Sequence, residues 1–329
     1  MIRRRRASWR LERIAAFFRP RRAEPVAERA AILMQRERYA SARGLIAAFY
    51  AMLLFLTAAE IFSWPGYLAV TTLTPRWAVA WLRFIDLRAG IGTILALHVA
   101  SGLLGILASG QRWARVLVAV AWLEFLSFKF SFGAINHGDH LGVLLAFVLI
   151  FLPDGWNSFP TASRCVRVAT LLTFSGCQAL ILLTYSMAGL WKVGGVIEQL
   201  LRGETSYLSP QGFAQQIADK LLADQSTSLL GPWLIDHYWL GWPLILVALY
   251  LEFSALWVVF RLSLHQAWGV GLLSFHLATH LTLGVGFPQN VLWLALFLVF
   301  SPLRPAERSW RGAWRDLPKL KGWIERAFG

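Results

Sequence analysis

The stretch VATLLTFSGCQALILLTYSMAGLWK runs from Val168 to Lys192 and carries no charge before its final lysine. A helix needs about 20 apolar residues to cross the hydrocarbon core of a bilayer. Backbone polar groups cannot stay unpaired in lipid, so helix is the expected conformation of such a segment. The stretch therefore predicts a membrane-spanning helix that ends at Lys192.

Similar apolar segments recur along the chain, of which 57% is hydrophobic and only 15% is charged. A soluble domain carries more charge than this, so the composition indicates a membrane protein. We therefore predict an all-α, polytopic membrane protein with about eight transmembrane segments. They cover residues 44–63, 86–108, 114–135, 139–153, 168–191, 238–260, 264–284 and 288–302.

The positive charge is concentrated at the two ends of the chain. Residues 1–43 hold thirteen Arg and four Glu, and residues 303–329 hold seven basic and three acidic residues. Positive charge beside apolar spans is retained in the cytoplasm and attracted to anionic lipid. We expect both termini on the cytoplasmic side of the cell (inner) membrane, and we expect membrane lipid rather than nucleic acid as the partner of these ends.

These patterns divide the chain into three parts and one large loop. In the loop, Phe213, Ile217 and Leu221 recur every four residues after Ser209–Pro210, which predicts a short amphipathic helix. Trp9 and the residues up to Phe18 predict another amphipathic helix near the N-terminus. The parts are the basic segment 1–43, the transmembrane domain 44–302 with the outer loop 192–237, and the basic tail 303–329.

Ionisable residues inside the predicted spans need a reason, because each costs about 2.5–3.5 kcal/mol at the centre of a membrane helix. The alternating topology places His137, Lys192, His276 and His280 in the outer half of the membrane, with Glu60 at similar depth. Each also has a simpler interpretation: a boundary lysine, a loop histidine, or histidines that hydrogen-bond between helices. Glu124 and Glu252 lie deeper and are expected to pair within the bundle.

The run His137-Gly138-Asp139-His140 raises the question of a metal site. Its two histidines and one aspartate are too close in sequence to ligate one ion without a sharp turn, and the chain has no HExxH motif and no cysteine ligand pair. We therefore expect no metal.

Three stretches carry a resemblance to a known family: AGLWK (188–192), INHGDHL (135–141) and the late segment 274–302. They resemble the membrane part of vitamin K-dependent gamma-glutamyl carboxylase and the wider horizontally transferred transmembrane (HTTM) family. The matching positions are Tyr185, Ala188, Gly189 and Lys192, then Asn136 and His137, then Phe275, His276, Phe287 and Pro288.

The resemblance implies an isoprenoid quinone of the vitamin K kind as cofactor. It implies that Lys192 is the base that deprotonates the hydroquinone and that His137 and His276 complete the catalytic site. The matching residues Asn136 and Tyr185 are then expected to line the substrate pocket. Glu60 and His280 are expected beside them because they lie at the same depth in the outer half of the membrane.

Three functional hypotheses remain open. The first is a quinone-linked membrane enzyme with Lys192 as base. The second is a non-catalytic membrane partner for the maturation, export or immunity of a small secreted peptide. The third is a small transporter, although the sequence shows no inverted repeat.

Overall fold

The computed structural model describes residues 36–133, 137–303, 313 and 315–318. Across these residues every regular element is helical and no strand occurs. Short 3₁₀ turns lie at Trp77–Phe84, His137–Asp139 and Leu262–Leu264. The α-helices in chain order are α1 Arg36–Ile61, α2 Trp64–Leu68, α3 Leu87–Leu107, α4 Arg112–Phe130, α5 His140–Leu149, α6 Arg164–Arg202, α7 Gly212–Ala223, α8 Gly231–Asp236, α9 Tyr238–Phe253, α10 Ala255–Val259, α11 His265–Leu283 and α12 Pro288–Leu294.

Three of the described helices are long and apolar enough to cross a membrane: α1 with its continuation α2, α3, and α6. The helices α5 and α9 and the segment Pro288–Val299 are apolar but shorter. Helix occupies each of the eight apolar segments identified in the sequence. The all-helical prediction is therefore confirmed for the described residues, and the long apolar helices support a membrane location.

The first apolar helix begins before the predicted boundary at Gly44. Helix is already present at Arg36, the first residue that the structure describes. The guanidinium carbons of Arg36 and Arg43 lie 5.5 and 5.3 Å from the ring centroid of Phe159, within the range of cation–π contacts. The amphipathic helix predicted near Trp9 and most of the basic tail lie outside the described residues.

The chain forms two compact units, and the boundary between them falls within α6. The N-terminal unit comprises residues 33–180 and 287–302, and the C-terminal unit comprises residues 181–286 with the described part of 303–329.

Close helix packing in the N-terminal unit depends on small residues. A Cβ built on Gly105 would lie 3.0 Å from Cδ1 of Tyr50, and one on Gly102 would lie 3.1 Å from Cδ1 of Leu54. These glycines let α3 approach α1 closely. In lipid, such van der Waals packing is a main source of helix association.

A π-helical turn at Ala295–Val299 follows α12 in the same unit. The amide of Gln178 on α6 donates to the carbonyl oxygen of Phe297 at 2.6 Å and to the hydroxyl of Ser301 at 2.7 Å. A π-turn shifts the helical hydrogen-bond ladder by one residue. The buried Gln178 side chain therefore pairs a carbonyl at the point where the ladder changes.

Arg115 on α4 joins two loops of the N-terminal unit. Its side chain is fully buried, and it donates to the carbonyl oxygens of Ser109 and Leu152 and to Asp154, 3.2 Å away. The indole of Trp156 donates to the same Ser109 carbonyl at 2.8 Å. Arginine suits this position because its planar fork carries several donors in a fixed geometry.

We expect Arg115→Met to lower the melting temperature in detergent. It removes the donor shared by two buried carbonyls, which corresponds to a loss of about 2 kcal/mol in unfolding free energy. Arg112, one turn earlier and exposed, is the matched control. Melting temperatures are measured by intrinsic fluorescence. Equal values for Arg115→Met and Arg112→Met would show that the hydrogen bonds of Arg115 to the two loops do not stabilise the protein.

In the C-terminal unit, the amphipathic helix predicted in the loop is present as α7. It begins at Gly212, after the proposed cap at Ser209–Pro210, and Gln211 is its N-cap residue. Phe213 and Ile217 form a core cluster with Leu234 of α8. The apolar face of α7 is thus covered by its own unit and not directed at lipid.

The longest helix continues past the expected end at Lys192. It passes through Gly194 and Gly195 and ends at Arg202. Gly203 follows with φ +69°, and the amide of Glu204 donates to the carbonyl of Gln199 at 2.9 Å. This is a Schellman cap, in which a left-handed glycine closes the helix. Lys192 therefore lies about 15 Å before the helix end, at about 1.5 Å per residue.

Candidate functional site

A polar cluster lies on one face of the C-terminal half of α6. Tyr185, Gly189 and Lys192 are spaced by four and three residues, so they share that face. The face packs against the end of α9, at Glu252 and Phe253, and Lys192 and Tyr185 also contact Phe275 and His276 of α11. All of these residues belong to the C-terminal unit.

The central contact of this site is an ion pair. Nζ of Lys192 lies 2.7 Å from Oε1 and 2.5 Å from Oε2 of Glu252. The side chain of Glu252 is 4% exposed and that of Lys192 is 39% exposed. A boundary lysine needs no fixed partner. Here the ammonium is held by a buried carboxylate, and part of the lysine side chain remains exposed.

An aromatic ring and a second polar pair flank the ion pair. Nζ of Lys192 is 5.3 Å from the ring centroid of Phe275, within the range of a cation–π contact. The next residue, His276, is buried, and its Nε2 lies 2.5 Å from the hydroxyl oxygen of Tyr185. A tyrosine–histidine pair and a lysine–glutamate pair are thus held side by side, and both contain exchangeable protons.

Gly189 explains how two helices bring Lys192 and Glu252 together. A Cβ on Gly189 would lie 2.5 Å from the backbone nitrogen of Phe253 and 2.8 Å from the carbonyl carbon of Glu252. Only glycine permits this backbone contact. In addition, the hydroxyl of Ser186 donates to the carbonyl of Phe253 at 3.1 Å. The Ala-Gly-x-x-Lys spacing therefore has a physical role in positioning the ion pair.

A second charged cluster lies in the N-terminal unit. Nζ of Lys129 is 2.8 Å from Oε1 of Glu60 and 3.2 Å from Oδ2 of Asp139. The hydroxyl of Tyr67 donates to Oε2 of Glu60 at 3.0 Å. We call these four residues the Lys129 cluster; it contains two carboxylates and one ammonium. Asp139 of the His-Gly-Asp-His run is thereby engaged with a lysine.

The structure brings together some of the predicted site residues and not others. Lys192, Tyr185 and His276 lie in one site, whereas His280, one turn after His276, is exposed. Glu60, predicted as a pocket residue, is paired with Lys129 in the N-terminal unit. Asn136 and the side chain of His137 lie outside the described residues, so their grouping with Lys192 stays a prediction.

Glu252 is the site residue that sequence reasoning did not assign. It was expected to pair somewhere in the bundle, at a greater depth than Lys192. The longer α6 removes the difference in depth, because Lys192 lies well inside the helix and not at its end. The signal was present in the sequence: Arg202 followed by Gly203 is a typical helix C-terminus. Placing the end there would have moved Lys192 to the level of Glu252.

No protein-family model, curated protein or solved structure matches this chain.

Proposed function

We propose that this chain is a quinone-linked membrane enzyme, similar to the HTTM and vitamin K-dependent carboxylase-like proteins, in which Lys192 acts as a base. The observation that carries the proposal is the Lys192–Glu252 pair, with the carboxylate buried and the amine partly open. Buried ionisable groups in membrane helices are costly and are retained mainly where they act in binding or proton transfer.

Glu252 gives Lys192 a way to become a base. Desolvation penalises both members of an ammonium–carboxylate pair, which brings the neutral amine–carboxylic acid form closer in energy. A proton that moves from Nζ to the carboxylate leaves a neutral amine on the open side of the pair. Rotation about the Cε–Nζ bond turns the lone pair from the carboxylic acid to the open side, where the amine removes a proton from a hydroxyl group, and the lysine returns to the ammonium form beside the protonated Glu252.

The surroundings of the pair suit a neutral aromatic ligand. The ion pair has no net charge, and the rings of Phe275 and Tyr185 border it. The carboxylate oxygens occupy two directions around Nζ, so one ammonium proton is left for an oxygen acceptor. A hydroquinone would supply the acidic hydroxyl and the redox chemistry, and the chain would supply the base.

The proposal predicts that an isoprenoid quinone co-purifies with the native protein. Mass spectrometry of organic extracts should find the quinone in native protein and much less in Lys192→Ala, which loses the donor to the quinone oxygen. Lys220, whose side chain is 43% exposed and paired with Asp224, provides the control variant Lys220→Ala. Equal quinone content in native protein and Lys192→Ala would remove the binding part of the proposal.

We also propose that eight helical segments cross the membrane and that both termini are cytoplasmic. Basic residues in the connections after the second, fourth and sixth segments support this arrangement. Cys165 is exposed and lies on the predicted inner side, and Ser226 is exposed in the predicted outer loop.

An impermeant maleimide applied to intact cells should therefore label Ser226→Cys in a Cys165→Ser background and leave native Cys165 unlabelled until the cells are opened. Labelling of both positions in intact cells would contradict this topology.

A further inference from the structure

His98 is a buried histidine in the N-terminal unit, far in sequence from the residues of the proposed site. It lies on α3 and is 1% exposed. Its ring stacks on Phe125 of α4, with centroids 3.7 Å apart and planes 7° apart. Its ring also meets the ring of Trp122 edge-on, with centroids 4.8 Å apart. Trp122 and Phe125 are one helical turn apart and share the face that holds the imidazole.

Three nitrogens at this point lack a hydrogen-bond partner among the described residues. They are Nδ1 and Nε2 of His98 and Nε1 of Trp122, and each is out of contact with solvent. The N–H and the lone pair of an imidazole lie in the ring plane, so the Phe125 ring stacked on its face cannot serve as their partner. Buried polar groups in native proteins are almost always paired with protein or with an ordered polar molecule. An N–H directed at the Trp122 ring would satisfy one of the three at most.

The three nitrogens define the chemistry of a partner. A neutral imidazole has one donor and one acceptor, and an indole has a donor only. A carbonyl oxygen accepts hydrogen bonds but cannot donate to the bare imidazole nitrogen, whereas a hydroxyl group does both. A cation is disfavoured, because the ammonium of Lys129 lies 5.9 Å from the centroid of the same Phe125 ring.

We propose that His98 and Trp122 form a binding site for a neutral hydroxyl group. The hydroxyl donates to the bare nitrogen of His98 and accepts from the indole N–H of Trp122. Water and a membrane-soluble alcohol or phenol are the two sources of this chemistry. His98 and Trp122 belong to the N-terminal unit and the Lys192–Glu252 pair belongs to the C-terminal unit, and the proposal does not depend on the function proposed for that pair.

Nitrogen-15 NMR of the purified protein tests the proposal directly. With labelled histidine, the His98 signals are assigned by their loss in His98→Leu. The unprotonated ring nitrogen should have the nitrogen-15 chemical shift of a hydrogen-bonded imidazole, and Trp122→Phe should change that chemical shift. His265 is the internal reference for a buried histidine whose unprotonated nitrogen is unpaired, because its Nε2 donates to the carbonyl oxygen of Val258 at 3.0 Å and its Nδ1 has no partner among the described residues.

The proposal would be overturned if the unprotonated nitrogen of His98 had the chemical shift of imidazole in an apolar solvent. A His98 spectrum that Trp122→Phe leaves unchanged would also overturn it. If His98→Leu does not fold, His98→Phe, which keeps a ring stacked on Phe125, supplies the assignment, and Trp122→Phe and the native protein give both readouts. Mass spectrometry of organic extracts then assigns the source. An alcohol or phenol present in native protein and absent from Trp122→Phe identifies a membrane compound, and identical extracts with a hydrogen-bonded His98 identify water.

Discussion

Lys192→Arg is expected to abolish quinol-dependent oxygen uptake while the protein stays folded. Arginine keeps a positive charge beside Glu252 and can bridge both carboxylate oxygens, so the ion pair survives. Its guanidinium stays protonated and cannot accept a proton. Loss of a general base lowers the rate by roughly 10²–10⁴-fold. Oxygen uptake by purified protein with a vitamin K-type hydroquinone, measured beside the melting temperature, separates activity from folding.

Retained activity in Lys192→Arg would contradict the base hypothesis and favour the boundary lysine, for which arginine is an adequate substitute. The exposed pair Arg202–Glu198 offers a control, because Arg202→Lys in the same helix should change neither readout.

Removing one or both members of the ion pair should separate its structural role from its chemical role. Lys192→Met leaves the buried Glu252 carboxylate without its cation. This should cost about 2–3 kcal/mol of stability, less than for a fully buried pair because Lys192 is 39% exposed. The double variant Lys192→Met, Glu252→Leu should recover most of that loss. It should remain inactive, because the apolar pair cannot move a proton.

The fold follows from the sequence where one physical effect dominates. Long apolar segments must be helical in lipid, and all eight of them are helical. Helix ends are harder to predict, because several small contributions to the free energy, such as helix propensity and capping, compete there. Helix α6 continues through Gly194 and Gly195, because each internal glycine costs only about 1 kcal/mol relative to alanine. The capping geometry of Gly203 determines the end instead.

In the site, residue type identifies the candidate residues, whereas helix packing determines which of them contact one another. Lys192 and His276 are predicted because ionisable groups stand out in apolar segments, and Tyr185 is predicted from the resemblance. Glu252 was visible too, but its partner depended on the register of α6 against α9. That register is set by a backbone contact at Gly189, which residue type alone does not show. The sequence does not distinguish His98 from the other histidines; only its burial and its stacking on Phe125 do.

Gly189→Ala and Gly194→Ala are expected to change stability in opposite directions. Both glycines lie in α6, five residues apart, so their intrinsic helix propensities are equal. A Cβ at position 194 meets nothing within 4 Å, so the alanine should raise stability by about 0.5–1 kcal/mol through the backbone entropy it removes. A Cβ at position 189 meets backbone atoms of α9 at 2.5 and 2.8 Å, and backbone cannot rotate away as a side chain can.

The clash at position 189 should lower stability by about 1–3 kcal/mol and move α6 away from α9. Since Glu252 is one of the residues contacted, the same movement lengthens the Lys192–Glu252 pair and should reduce oxygen uptake. Melting temperatures of the two variants in one detergent measure the first effect, and their activities measure the second. Equal shifts in both melting temperatures would mean that α6 and α9 do not touch at Gly189. A destabilised Gly189→Ala with full activity would mean that proton transfer does not depend on the distance between Lys192 and Glu252.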